Sequence, residues 1–227
     1  MTSVLLAARL ARLDTCAVSD ALDRFGIAGA VSGIRPMWPC QRIAGRVMTV
    51  RLVPVEDAPA RAAGGPSRHL GTAAIEAASP GDVIVVDHGG RGRAAGWGGI
   101  LSLAAKLKGL GGVVVDGACR DVDESRGLGF PLYARSATPL TARGRVLEES
   151  YGQPVQVGGI AVSAGDLVLA DGTGVVFVAA GTAQEVIAAA ETLAAREAAM
   201  AASLRAGRSV VEVMGASYES MLDSREA

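Results

Sequence analysis

Apolar residues fall along the chain at two kinds of spacing, and these place most of the elements. Between Leu5 and Arg24, Leu6, Leu10, Leu13, Val18 and Leu22 recur at helical intervals with an interruption around Asp14-Thr15, which predicts two short helices. In the second, the acid of Ser19-Asp20-Ala21-Leu22 is expected as a cap in preference to part of a site. Gly26, Gly29, Gly33 and Pro36 then break the chain into a loop. Ile43 to Val53 (IAGRVMTVRLV) alternates and is rich in β-branched residues, as a strand requires. A loop from Pro54 to Pro66 and a short amphipathic helix from Arg68 to Ala78 follow, before the turn Ser79-Pro80-Gly81 feeds a strand at Val83 to Val86.

The chain is organised around Val83 to Asp121. An apolar run ending in Asp87 leads into a glycine-rich loop, a helix from Ile100 to Lys108, and a second apolar run ending in Asp116, Arg120 and Asp121. Strand, loop, helix and strand in that order make a βαβ unit. Beyond it, Gly127 to Ala134 reads as a short strand interrupted by Pro131, Thr138 to Ser150 as polar and irregular, and Val155 to Val162 as one strand. Leu167 to Ala170 and Val175 to Val178 are strands joined by the tight turn Asp171-Gly172-Thr173-Gly174. Thr182 to Ala206 is one long helix rich in Ala, Glu and Leu that closes at Gly207. The segments SPGDVIVVD and SAGDLVLAD echo one another and read as a shared local turn, not a repeat architecture. No linker divides the chain, so one α/β domain over residues 1–227 is expected.

Composition narrows the partners. Half of the 227 residues are hydrophobic, enough for a full core, and 22 Lys and Arg nearly balance 23 Asp and Glu. With no net field, neither a nucleic acid nor a membrane is an expected partner. The three cysteines, Cys16, Cys40 and Cys119, are odd in number and far apart, which suits neither a disulfide framework nor a zinc site and points to a reducing cytoplasm. Met1 to Leu13 carries Arg9 and Arg12 within it and lacks a basic leader, so it does not read as a signal peptide. No apolar run approaches the roughly 20 residues that span a bilayer.

Two features carry chemistry. Gly96, Gly98 and Gly99 precede the central helix, so first-turn N–H groups could meet a carboxylate or phosphate there; a glycine turn that only packs helix on sheet explains the same spacing. GRGRAAG does not fit a dinucleotide fingerprint. Arg120 and Asp121 follow at the end of the second strand. An arginine fork grips a carboxylate, and an aspartate offers hard oxygens to Mg²⁺, the pair of functions a 2-oxo acid needs. Adjacent residues on a strand are expected to point apart, each to its own partner, and a surface ion pair with Asp123 or Glu124 is the plainer alternative. Cys119 reads as a small buried thiol and Trp97 as a pocket wall or subunit contact.

The block GWGGILSLAAKLKGLGGVVVDGACRDVDESRGLGFP resembles the RraA-like family, and VSDALDRFGIAGAVSGIRP, RIAGRVMTVR and ASPGDVIVVD agree with it, so the likeness runs from about residue 15 to 207. The resemblance implies a layered β/β/α domain with a long C-terminal helix, assembling as a homotrimer or homohexamer with sites at subunit interfaces. It implies a class II pyruvate aldolase acting on 4-hydroxy-4-methyl-2-oxoglutarate or 4-carboxy-4-hydroxy-2-oxoadipate, with oxaloacetate decarboxylase activity. Arg120 would bind the pyruvyl carboxylate with backbone N–H groups of the run Gly98, Gly99, Ile100 and Leu101; Asp121 would hold Mg²⁺ or Mn²⁺. Glu197 would reach the site of a neighbouring subunit, and Asp20 would be a structural or outer-site residue. One position departs: the acid that enzymatic members carry in a Gly-Asp/Glu-Leu-Leu sequence is Gly99 here. Asp87, Asp116 or His88 are the candidates to replace it, and a change of substrate or reaction is the alternative. The family's ribonuclease-binding regulators supply a third, non-enzymatic reading.

Overall fold

The structure is a computed structural model that describes residues 2–57 and 69–215. The helices α1 (Ser3–Leu10) and α2 (Thr15–Arg24) lead through the two-residue strands β1 (Ala30–Val31) and β2 (Arg35–Pro36) to the long strand β3 (Ile43–Pro54). Then come α3 (Thr72–Ala77), β4 (Val83–Ala95), α4 (Gly99–Leu107), β5 (Gly112–Cys119), α5 (Val122–Leu128) and β6 (Leu132–Ala137). The chain continues through β7 (Val146–Tyr151), β8 (Val155–Val157), β9 (Ile160–Val162), β10 (Leu167–Ala170), β11 (Val175–Val178), α6 (Ala183–Arg205) and α7 (Val210–Val213).

Nine strands form one sheet in the order β1-β11-β10-β3-β4-β5-β6-β2, with β7 added to β3. The centre, β3 to β6, is parallel, and its crossovers carry α3, α4 and α5. Every residue of β5 is buried, as befits a parallel strand covered on both faces. Alternation along the strands divides the interior. Ile84, Val86, Val113 and Val115 pack with Ile75, Trp97 and Leu101 beneath the crossover helices. Val83, Val85 and Val114 face the other way, onto Val168, Val175, Phe177 and the β8–β9 hairpin. The outer side of β10 and β11 is covered in turn: Leu167, Leu169, Val176 and Val178 pack on α1, α2 and α6. The expected layered α/β architecture with a long helix towards the C-terminus, α6, is therefore present, and the short α7 follows it. Among the described residues no helix is long and apolar enough to cross a membrane.

Several elements differ from their expected form. Asp14, not Asp20, caps α2, accepting the Ala17 N–H at 2.8 Å, and Asp20 lies mid-helix. β4 does not stop at Val86 but continues through the glycines as a bulged strand, with Arg91 opposite Gly117 and Ala95 opposite Ala118. Gly89 (φ 60°) and Gly90 (φ 70°) supply the left-handed turn that makes the bulge possible. The strand expected over residues 127–134 is split: α5 occupies its start and β6 begins after Pro131. The region expected to be irregular holds β7, a polar strand along β3 whose Glu148 carboxylate accepts the Gly71 N–H at 2.6 Å. Residues 155–162 are a hairpin, since Gly158 (φ 56°) and Gly159 (φ 87°) fit a two-residue turn with left-handed central residues. α3 is shorter than expected, and Arg68 and most of the expected 54–66 loop lie outside the described residues. The echoed turns are the same device: Asp82 accepts the Ser79 N–H and Asp166 the Ser163 N–H, each at 2.8 Å.

Candidate functional site

The end of β5 and the start of α4 are laced together by the backbone. Gly96 N–H donates to Ala118 O at 2.8 Å and Arg120 N–H to Trp97 O at 3.0 Å, which brings residues 96–99 alongside Arg120 and Asp121. Beneath them the Trp97 ring is buried, and its Nε1–H donates to Ser102 Oγ at 2.9 Å. Ser102 Oγ lies 2.8 Å from Ser125 Oγ, so a buried hydroxyl pair ties α4 to α5. Sequence reasoning missed both serines; Ser102 stands out as a polar residue amid apolar helix positions, whereas Ser125, between Glu124 and Arg126, gives no such signal.

Asp121 has φ 56°, the one left-handed non-glycine residue among those described. That twist folds its side chain back beside Arg120, whose Nε–H lies 3.1 Å from both carboxylate oxygens. The expectation that the two would point apart fails for this reason: a left-handed residue does not follow strand alternation. The side chains remain 40% and 26% exposed, so the pair contributes only about 0–1 kcal/mol and both groups stay accessible to a ligand. Arg126 pairs with Asp123 at 3.7 Å, so Arg120 pairs with neither of the two acids foreseen for it.

The glycines at the start of α4 let two acidic side chains approach the backbone closely. A Cβ at Gly98 would lie 2.8 Å from Asp121 Oδ2, and one at Gly99 would lie 1.7 Å from Glu124 Oε2. Gly99 N–H donates to Asp121 Oδ2 at 3.0 Å, so part of the helix-start donor set already serves this carboxylate. Ile100 and Leu101 belong to the same first turn, where N–H groups lack intrahelical acceptors.

These residues line a cavity of about 630 Å³. Gly98, Gly99, Ile100, Leu101, Arg120 and Asp121 all border it, opposite a loop that brings Arg143. Two arginines against one aspartate suit an anionic ligand. Glu197 does not border the cavity. It lies on α6, largely exposed, where partial desolvation and then the charges of Asp14 and Asp20 push its carboxyl above the usual range. Asp20 is raised in the same way, by burial and by Asp23 and Asp14.

None of the three candidates to replace the acid at Gly99 lines the cavity. Asp87 accepts the N–H groups of Gly89 and Gln156, and Asp116 takes Arg135 and the Gly158 N–H. His88 is fully buried, with Nε2 held 2.8 Å from Ala94 O. Cys119 is also buried, which pushes its thiol up to about 12 and suits a packing role.

Burial outweighs the opposing hydrogen bond to Ala94 and, with a smaller contribution from Arg91, holds His88 below its ordinary pKa against the charges of Asp87 and Asp116. It therefore folds neutral, whereas the unfolded chain takes up a proton below about pH 6.5. Stability should fall as the pH drops from about 7 to about 6, because the unfolded state then binds more protons. Urea midpoints across that window should decline for the wild type and stay level for His88→Gln; Asp20 and Glu197 act in the opposite sense, lower in pH.

A sequence profile described as RraA-like, aldolase/RraA, matches residues 15–177. A Halalkalibacterium halodurans protein provisionally named 4-hydroxy-4-methyl-2-oxoglutarate aldolase is 32% identical over 89% of this chain and 91% of its own length. Protein DlpA of Legionella pneumophila is 28% identical over 79% of this chain, which spans only 28% of that longer protein. The solved structure of Streptomyces coelicolor RraAS2, described as an unusual member of the RNase ES inhibitor RraA family, superposes with a TM-score of 0.73 at 29% identity, covering 85% of this chain and 93% of that one. With the profile covering most of the chain, the protein belongs to the RraA-like family.

Proposed function

We propose that this protein is a cytoplasmic, divalent-cation-dependent lyase that breaks a carbon–carbon bond of a 2-oxo acid, of the 4-hydroxy-4-methyl-2-oxoglutarate or oxaloacetate type. The observation that carries the proposal is the side-by-side placement of Arg120 and Asp121 against the first turn of α4 at the edge of the cavity. Relatives named as aldolases support the reaction class.

The donor set fits a hydrated Mg²⁺ or Mn²⁺. Asp121 offers hard oxygens; Oδ2 is shared by the Gly99 N–H and Arg120, while Oδ1 meets Arg120 alone and keeps room for another partner. Among the described residues no three His, Cys, Asp or Glu side chains converge, so water and substrate oxygens would complete the shell, the usual arrangement for Mg²⁺. When bound, the cation would polarise the keto oxygen and stabilise the enolate charge that develops as the bond breaks. Arg120 grips the adjacent carboxylate with its fork, and the Ile100 and Leu101 N–H groups hold the same end of the substrate. Decarboxylation and aldol cleavage share that enolate, so one site serves both.

Glu197, remote from the cavity of its own chain, is assigned to the cavity of a neighbouring copy in a homotrimer or homohexamer. Uncovered apolar residues beside the cavity favour association: Ile100 is 77% and Leu107 80% exposed on one face of α4, with Leu103 between them. The test is to mix protein, Mg²⁺ and oxaloacetate and to follow pyruvate. Release above the Mg²⁺-only rate is expected; none, with either oxaloacetate or 4-hydroxy-4-methyl-2-oxoglutarate, sinks the proposal. The likeness to an RNase-inhibitor relative favours a second reading, a ribonuclease-binding regulator, which predicts capture of the RNase and no Mn²⁺ binding.

A further inference from the structure

The Arg120–Asp121 pair presents little net charge, since the guanidinium Nε lies 3.1 Å from both oxygens of the carboxylate. A divalent cation approaching Asp121 alone would meet the repulsion of that guanidinium, and a second anionic donor reverses the balance. Such a donor stands close by: Glu124, which like Asp87, Asp116 and His88 is not among the residues that border the cavity, packs over Gly99, which is. Glu124 Oε2 lies 1.7 Å, and its Cδ 2.9 Å, from the point where a side chain at Gly99 would begin, and Asp121 Cβ is 3.2 Å from that same point. The two acids sit three residues apart, one turn of helix, and converge on a single bare stretch of backbone at the start of α4. Only glycine at 99 leaves Glu124 that position, because any Cβ there would fall within bonding distance of its carboxylate.

Resting on the lyase reading above, we propose that Glu124 is the second carboxylate of the cation site, reaching across Gly99 to face the cation held by Asp121. Two carboxylates with water and substrate oxygens are a set that Mg²⁺ and Mn²⁺ accept. Glu124 acts on the cation directly or through one of its bound waters, and in either case its charge offsets that of Arg120. A role confined to α5, as an acid in the first turn of a helix, would require none of this convergence.

The test is Mn²⁺ titration of the full-length protein without substrate, with free Mn²⁺ read by electron paramagnetic resonance. Asp121→Asn should lose binding, and Glu124→Gln should weaken it about 10- to 100-fold. Glu124→Ala should weaken it at least as far, and adding Gly99→Asp to Glu124→Ala should recover most of that loss, because the truncated side chain clears the space that the new carboxylate enters from the other side. Recovery separates a charge facing the cation from a merely structural glutamate, and circular dichroism of each variant checks that it is folded. Equal affinity in wild type and Glu124→Gln, with Asp121→Asn still deficient, overturns the role of Glu124 and leaves the cation reading standing. A wild-type protein that takes up no Mn²⁺ overturns both.

Discussion

Arg120→Ala should lower pyruvate release from oxaloacetate by about 100- to 1,000-fold, the usual scale for removing one charged donor from developing negative charge. The loss should fall on kcat and KM together, since the same fork that holds the carboxylate in the ground state holds it as the enolate forms. A second readout makes the assignment specific. Arg120 Nε now lies 3.1 Å from both Asp121 oxygens, so its removal frees the aspartate's charge, and Mn²⁺ should bind more tightly in the variant even as turnover collapses. Arg120→Lys keeps the charge but not the planar fork and should fall between the two. An Arg120→Ala enzyme with wild-type turnover would remove this residue from the site.

The largest effect on stability is expected at Trp97. Its ring is 2% exposed and packs beneath the crossover helices, so Trp97→Ala should cost about 3–5 kcal/mol, read as a lower urea midpoint. The consequence extends to chemistry. The indole N–H anchors Ser102, Ser102 meets Ser125, and the Trp97 carbonyl accepts the Arg120 N–H, so one residue positions both helices and the arginine. Trp97→Phe, which keeps most of the ring and loses the N–H, should cost less, with about 1 kcal/mol for the lost hydrogen bond. The pocket wall or subunit contact anticipated from sequence understates this: Trp97 borders the cavity and is also its foundation.

Regular periodicity made the βαβ unit, β3, β10, β11 and α6 legible in the sequence, because each buries a face that must repeat apolar residues at its own period. Where burial and backbone geometry diverge from pattern, reading failed. The bulged second half of β4 looks like a loop because its glycines serve a kink and Arg91 and Arg93, half-buried and exposed, carry no periodic signal. β7 is missed because only Val146 among its residues is fully buried. At the site, residue identity was readable but direction was not. Arg120 and Asp121 were recognisable as a pair, yet their convergence depends on one dihedral angle at Asp121 that no spacing reports. Glu124 was visible only as a possible surface partner, because its closeness to Gly99 arises between two helices joined through β5.

That dihedral limits which residues position 121 can hold. A left-handed backbone admits glycine freely, asparagine and aspartate at modest cost, and most other side chains only with strain. The conformation thus reduces the alphabet at this position to about three letters before any chemistry is considered. Of those three, aspartate alone carries a negative charge. Backbone geometry and cation chemistry narrow the position independently and arrive at the same residue, so even glutamate, which preserves the charge, is a poor substitute here.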